Sequence, residues 1–219
     1  MVMQLFGHPF SSYTWKAQIA LFENDTPFAF RMIDPDHPEN CAELSRRSPV
    51  GKFPLLIEGD AAVFEATAII EYLEAVHPGP VALIPADPEV AVTVRMMDRV
   101  FDNYVMNVMV VMIDNALRPD DRRDPYGVER ARTGLDRIYA WLDSTLAGRD
   151  WACGDAFTLA DCAAAPALFY ADWAHPIADR HATLKAYRAR LLARRSVARC
   201  VDEARPYRAF FPLGAPDRD

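Results

Sequence analysis

A chain of 219 residues, about half of them hydrophobic and a quarter charged, can bury one substantial core or two modest ones. Its formal charge of −7 leaves no basic surplus to displace counterions from phosphate, which argues against nucleic acid as a partner but still admits small anionic ligands. No secretory leader pattern opens the sequence, and the apolar run over residues 104–113 is too short to span a bilayer and carries Asn107. No membrane partner is expected, and the cytoplasm is the default location. Cys41, Cys153, Cys162 and Cys200 lie far apart, with neither metal-site nor disulfide-framework spacing.

In chain order, residues 2–6 and 28–33 read as strands around a helical segment over 12–24, a βαβ unit. A short polar helix over 39–46 follows. Residues 54–57 and 62–64 then flank a Gly59-Asp60 turn of hairpin type. Residues 66–76 form an amphipathic helix with Ile69, Leu73 and Val76 on one face and Glu71 and Glu74 opposite. His77-Pro78-Gly79-Pro80 stops it, and the stretch to Pro88 is proline-rich. Helical patterns cover 88–117, 125–146, 159–173, 184–193 and 196–204, with no convincing strand pair among them. The expectation is an α/β domain over 1–78, a linker over 79–87 and an all-helical domain over 88–219.

Several short stretches bear two readings. In HPFSSYTWK, residues 8–16, the first strand hands over to a helix through Ser11 and Ser12. Serine there is plain capping, or it presents a hydroxyl to a ligand at the positive end of the helix. Gly51-Lys52-Phe53-Pro54 carries either a strand-start proline or a cis peptide that turns the backbone of Phe53 toward a ligand. Phe64-Glu65-Ala66-Thr67 is a plain strand–helix junction, or a place where helix N–H groups hold a carboxylate while Glu65 accepts from an ammonium. Phe157-Thr158-Leu159-Ala160-Asp161 resembles a capping box with a hydrophobic residue ahead of it, a folding signal without chemistry. Met106, Met109 and Met112, with Tyr104 nearby, suit an adaptable apolar pocket, and suit a helical core or subunit interface as well. Tyr207, Phe210 and Phe211 fold over that pocket or dock the tail.

Taken in order, these pieces resemble the cytosolic glutathione transferases over nearly the whole chain. The shared motifs are a "PxSxxxxK" start to the first helix (Pro9 to Lys16), a "GKxPxL" cis-proline strand (Gly51 to Leu55), an "ESxAIxxYL" helix (Glu65 to Leu73), and "FTLAD" with a later proline, Pro166. The resemblance implies a thioredoxin-like α/β N-terminal domain, an all-α C-terminal domain and a homodimer. Glutathione is implied as a substrate, with no metal, nucleotide or redox cofactor. Its cysteine backbone would pair with Phe53 beside Pro54, its γ-glutamyl end would lie near Glu65, Ala66 and Thr67, and Lys52 would meet a carboxylate. Ser11 matches the residue whose hydroxyl faces the sulfur, with Ser12 its neighbour. An apolar electrophile would lie against the long helix near Tyr104, Met106 and Met109. In some classes a histidine in the loop holding His37 binds the glycyl carboxylate.

The chemistry favours a hydroxyl at that place. A thiol of pKa ~8.5 is only ~3% thiolate at pH 7, so full ionisation raises the reactive form about thirty-fold, worth roughly 2 kcal/mol. Ser11 and Thr14 stand where thioredoxin-like redox proteins carry CxxC, which argues against disulfide exchange. Ala66 departs from the family's serine after the glutamate and removes one donor to the γ-glutamyl carboxylate, a neutral hydrogen bond worth about 0.5–1.5 kcal/mol. Two other readings stay open. The isomerase branch has a similar "SSCxWRVRIAL" stretch, but here Tyr13 replaces the cysteine and Lys16 and Gln18 replace arginines that would hold a dicarboxylate. A non-catalytic interaction module on the same fold is favoured by Ala66 and opposed by Ser11.

Overall fold

A computed structural model describes residues 2–219. Strand β1 (Gln4–Gly7) leads through the His-Pro-Phe loop to α1 (Ser12–Glu23), then to β2 (Ala29–Met32), α2 (Pro38–Arg47), β3 (Leu55–Glu58), β4 (Ala61–Phe64) and α3 (Ala66–Val76). The sheet order is β2-β1-β3-β4, with β1 parallel to β2 and antiparallel to β3, and β3 antiparallel to β4. Alternation along the strands sorts the side chains onto two faces. Leu5 and Leu56 join the core built on α1 and α3, whereas Phe6, Leu55 and Ile57 pack with Leu44 of α2 on the other side. This is a thioredoxin-like layer, and a helical domain completes the molecule.

That second part contains α4 (Pro88–Val100), α5 (Asn107–Leu117), α6 (Pro125–Thr145), α7 (Leu159–Ala174), α8 (Ala182–Ala193) and α9 (Arg195–Ala204). The sequence pattern predicts one helix over 88–117. The structure instead places a π-helical segment, Phe101–Met106, between α4 and α5. The buried positions explain the difference: Phe101, Val105 and Met109 step by four residues. Steps of four drift off one face of a 3.6-residue helix, and a wider turn absorbs the drift.

The core runs across both parts without a break. Helix α1 packs on α3 in its own layer and on α7 and α9 of the helical part. Trp15 of α1 is fully buried, with ring centroids 4.9 Å from Phe169 and 5.3 Å from Tyr170. Helix α7 is apolar on every side because α1, α4, α5 and α8 surround it. The start of α1 also lies so close to β1 that a Cβ on Gly7 would stand 2.6 Å from the Thr14 side chain, so only glycine fits.

The proline-rich connection is pinned along its length. Asn24 accepts from Val81 N–H at 2.8 Å and donates to Val81 C=O at 3.1 Å. Glu74 accepts from Leu83 N–H at 2.9 Å, and Leu83 C=O accepts from Leu159 N–H at 2.8 Å. At the start of α7, Asp161 accepts from Thr158 N–H (2.9 Å), Ala152 N–H (2.8 Å) and Tyr187 Oη–H (2.6 Å), all in the interior. The capping box is therefore a buried junction of three segments. Asp161→Ala orphans these three donors and the Thr158 hydroxyl, which donates to Asp161 at 3.1 Å; at about 1–3 kcal/mol each, urea denaturation should show a loss of at least ~3 kcal/mol.

Candidate functional site

Between the sheet layer and the π-helical segment lies a cleft of about 250 Å³, lined on the α/β side by Tyr13, Val50, Lys52, Phe53, Pro54, Phe64, Glu65 and Ala66. Arg99, Asp102, Asn103 and Asn107 form its helical wall. Three local features build the first side. The Phe53–Pro54 peptide is cis, and strand pairing begins only at Leu55, which leaves Phe53 beyond the end of the ladder. Glu65 holds φ +72° and ψ 117°, a region that non-glycine residues rarely adopt, and gives α3 no side-chain cap. The first N–H groups of α3 therefore point their positive end at the cleft beside an exposed carboxylate. Lys52 adds an exposed cation. Lys52 and Arg99 against Glu65 and Asp102 suit a ligand that carries both signs of charge.

Beneath the helical wall runs a buried ionic network. Lys16 of α1 lies 2.5 Å from Asp98 Oδ1 and 2.7 Å from Asp102 Oδ2, with the Lys16 and Asp98 side chains each 1% exposed. Lys16 also donates to Thr67 Oγ1 at 2.8 Å, and Thr67 donates to Asp98 Oδ2 at 3.0 Å. Arg99 closes the cluster, contacting Thr67, Asp98 and Asp102. Burial pushes the Asp102 carboxyl above its ordinary value, against the opposing pull of Lys16.

At the start of α1, Ser11 Oγ accepts from Thr14 N–H at 3.3 Å and is the N-cap. Accepting leaves its own O–H free to donate. Tyr13, two residues on, turns its phenol into the cleft and donates to Asn107 Oδ1 at 3.0 Å. Burial, then Asp102, push that phenol up to about 12, so it is a neutral donor at any physiological pH. The loop ahead is covered from the tail and from α7: the His8 ring meets Tyr207 edge-on at 4.7 Å, Phe210 lies 6.2 Å away, and Tyr170 Oη–H of α7 donates to Phe10 C=O at 2.9 Å.

The family model described as glutathione S-transferase, N-terminal domain matches residues 5–81, and that for the C-terminal domain matches residues 125–190. The chain belongs to the glutathione S-transferase family. A crystal structure of a glutathione S-transferase from Methylobacterium radiotolerans, in complex with glutathione sulfonate, superposes with a TM-score of 0.79 at 30% identity, covering 92% of this chain and 95% of that one. Among curated relatives, a stringent starvation protein A homolog of Coxiella burnetii is 27% identical over 77% of this chain and 75% of its own. Glutathione S-transferase 1 of Dianthus caryophyllus is 28% identical over 76% of each chain.

Of the residues singled out by sequence, the cleft gathers Lys52, Phe53, Pro54, Glu65 and Ala66. Ser11 and Ser12 stand at the head of α1, next to the cleft but not among the residues lining it. The hydroxyl of Thr67 belongs to the ionic network and is not free for a ligand. Of the two readings left open for the methionines, their burial favours the core. Met106 and Met109 are 2% and 4% exposed in the core, and Tyr104 is exposed and not among the residues lining the cleft. Met106 turns inward where the π-helical segment packs on α7, and Met109 and Met112 do so where α5 meets α6 and α7. His37 is paired with Asp34 at 2.7 Å, on the loop before α2. Sequence reasoning missed Tyr13, Arg99, Asn103 and Asn107. Only the aromatic Tyr13 beside the serines offered a signal.

Lys16→Met leaves Asp98 and Asp102 with the partly exposed Arg99 as their one remaining cation among the described residues. Removing one partner of a buried ionic group costs about 3–5 kcal/mol, and urea denaturation should read a loss of that order. His8 gives a second check. Burial lowers its pKa, with Asp34 opposing, and its Nδ1 accepts from Phe10 N–H at 3.1 Å. A depressed histidine pKa stabilises fully above the ordinary value near 6.5 and less as pH falls through the folded one. From pH 7.5 to 5.0, wild type should therefore lose stability relative to His8→Gln.

Proposed function

We propose that this chain is a glutathione transferase that binds glutathione in the cleft, stabilises its thiolate with Ser11 and conjugates it to an electrophile. The carrying observation is the convergence on one cleft of the unpaired Phe53 backbone, the uncapped start of α3 and the exposed Glu65 carboxylate. Glutathione has a peptide backbone, two carboxylates and an ammonium. Its cysteine amide fits along Phe53, its γ-glutamyl carboxylate fits the α3 N–H groups, its ammonium fits Glu65, and Lys52 offers a partner to the glycyl carboxylate. The glutathione sulfonate bound to the Methylobacterium relative supports this reading. Ser11 would accept from Thr14 N–H while donating to the sulfur, at the positive end of α1. Exposed Val92, Met96 and Tyr104 on the α4 side offer an apolar surface to a second copy, consistent with a homodimer.

The isomerase reading loses its dicarboxylate partners. Lys16 is buried in the ionic network, and Gln18 is buried and donates to Glu203 at 3.2 Å. An interaction module remains the second reading. It draws support from the stringent starvation protein A relative and from the site itself, where Ala66 has no hydroxyl and that of Thr67 is consumed.

Calorimetric titration of glutathione into wild type and Ser11→Ala, with thiolate absorbance followed against pH, separates these. Both proteins should bind glutathione, and only wild type should lower the thiol pKa, with turnover in the variant falling by up to about thirty-fold. No binding by wild type at millimolar glutathione would overturn the transferase reading in favour of the interaction module.

A further inference from the structure

The transferase reading gives Ser11 one task, to aim its hydroxyl hydrogen at a sulfur, and the turn ahead of α1 bears on how that aim is held. Residues 8–11 form a tight turn with Pro9 at its second position, closed by Ser11 N–H donating to His8 C=O at 2.9 Å. His8 N–H donates toward Thr14 Oγ1 at 3.4 Å. Trp15 Nε1–H donates to Pro9 C=O, Tyr170 Oη–H to Phe10 C=O, and Trp15 N–H to Ser11 C=O. The one remaining amide, Phe10 N–H, goes to ring nitrogen Nδ1 of His8 at 3.1 Å. Every backbone group of the turn is satisfied, while the Ser11 O–H has no acceptor among the described residues. The His8 ring is itself held. Tyr207 and Phe210, from the short helical turn Arg205–Phe210, pack against it. Phe211 docks that segment on α7, its ring 5.3 Å from Trp173 and 6.2 Å from Tyr170. Burial lowers the His8 pKa, against the pull of Asp34, so at pH 7 and above the ring is neutral and Nδ1 keeps its lone pair.

We propose that His8 is a positioning residue for Ser11: its Nδ1 locks the turn through Phe10 N–H, and Tyr207 and Phe210 of the tail hold the ring in the orientation that makes this bond. The inference rests on the transferase reading and deepens it, since the tail then sets how well Ser11 stabilises the thiolate. A turn of this kind needs only Pro9 and the His8 carbonyl to form. The ring bond adds direction. Without it Phe10 N–H loses its acceptor, and the turn gains freedom to swing Ser11. Hydrogen bonds weaken steeply as they bend, so a small rotation at Ser11 costs thiolate stabilisation while the proposed glutathione contacts at Phe53 and α3 stay in place.

The test follows the thiolate absorbance of bound glutathione against pH in wild type, Ser11→Ala, His8→Phe, His8→Asn and the double variant of His8→Phe with Ser11→Ala. Phenylalanine keeps a ring for Tyr207 but has no acceptor. Asparagine loses the ring, yet its Oδ1 accepts from the N–H two residues on without help, as asparagine does in turns. His8→Phe should lower the thiolate-to-thiol ratio of bound glutathione about threefold to tenfold, and His8→Asn should stay within about twofold of wild type. On top of Ser11→Ala, His8→Phe should add nothing, because its effect passes through the Ser11 hydroxyl. S-Methylglutathione has no thiol to ionise, and wild type and both His8 variants should bind it alike. An unchanged ratio in His8→Phe, an equal loss in His8→Asn, an undiminished effect on top of Ser11→Ala, or weakened S-methylglutathione binding by His8→Phe overturns the assignment and leaves the transferase reading standing. If the bound thiol titrates in Ser11→Ala as in wild type, or wild type binds no glutathione, the proposed role of Ser11 falls and that of His8 with it.

Discussion

A lysine ammonium held between two carboxylates ties the walls of the cleft together in the seam between the sheet layer and the helical part. Lys16 comes from α1 and its partners Asp98 and Asp102 from α4 and the π-helical segment, so the network fixes how far apart and at what rotation the two walls stand. Taking such groups out of water costs several kcal/mol per ion, and hydrophobic residues of equal volume would often be as stable. What the ions provide is direction. An apolar seam tolerates sliding, whereas three charges, a hydroxyl and Arg99 satisfy one another in a single register. Thr67 ties the start of α3 into the same cluster, so the helix end that lines the cleft is tied to the same contact that joins the two parts.

That arrangement divides what could be read in the sequence from what could not. Local chemistry was legible. The Gly59-Asp60 turn, the start of α3 after Phe64 and the buried Thr158–Asp161 junction all follow from residues within a few positions of one another. The π-helical segment was not, because residues 100–107 contain neither glycine nor proline and the wider turn answers packing on α7. Lys16 reads as a surface cation in its own helix, and only the carboxylates from about eighty residues away bury it. Tyr13 has the same difficulty, since its partner Asn107 is 94 residues distant. The methionines had the right spacing for either a pocket or a core, and spacing alone cannot tell which face a neighbouring helix will cover.

Ser11 and Ala66 show how a site can change one donor at a time. Ser11 is at once the cap that starts α1 and a hydroxyl beside the cleft, so its folding role and its proposed chemical role draw on different atoms of one group: lone pair for the cap, proton for a sulfur. A residue with both duties is kept by folding even where chemistry is lost, so its presence says less about catalysis than a hydroxyl with no structural task. Ala66 carries the opposite message. Its missing oxygen removes about one neutral hydrogen bond, while the backbone N–H groups of α3 remain uncapped whatever the side chain.

The decisive weight therefore falls on the backbone of this site. Glu65 is held at positive φ, at a cost of order 1–3 kcal/mol for a non-glycine residue, although a glycine there would remove the strain. Because Ala66 is buried and Thr67 is bonded into the ionic network, the helix start cannot relax without disturbing the seam. The strained turn sets a carboxylate and a row of N–H groups at one cleft, with no hydrogen-bond partner for either among the described residues. Folding alone gives no reason for that combination, whereas a ligand bearing an ammonium and a carboxylate on one carbon satisfies both at once.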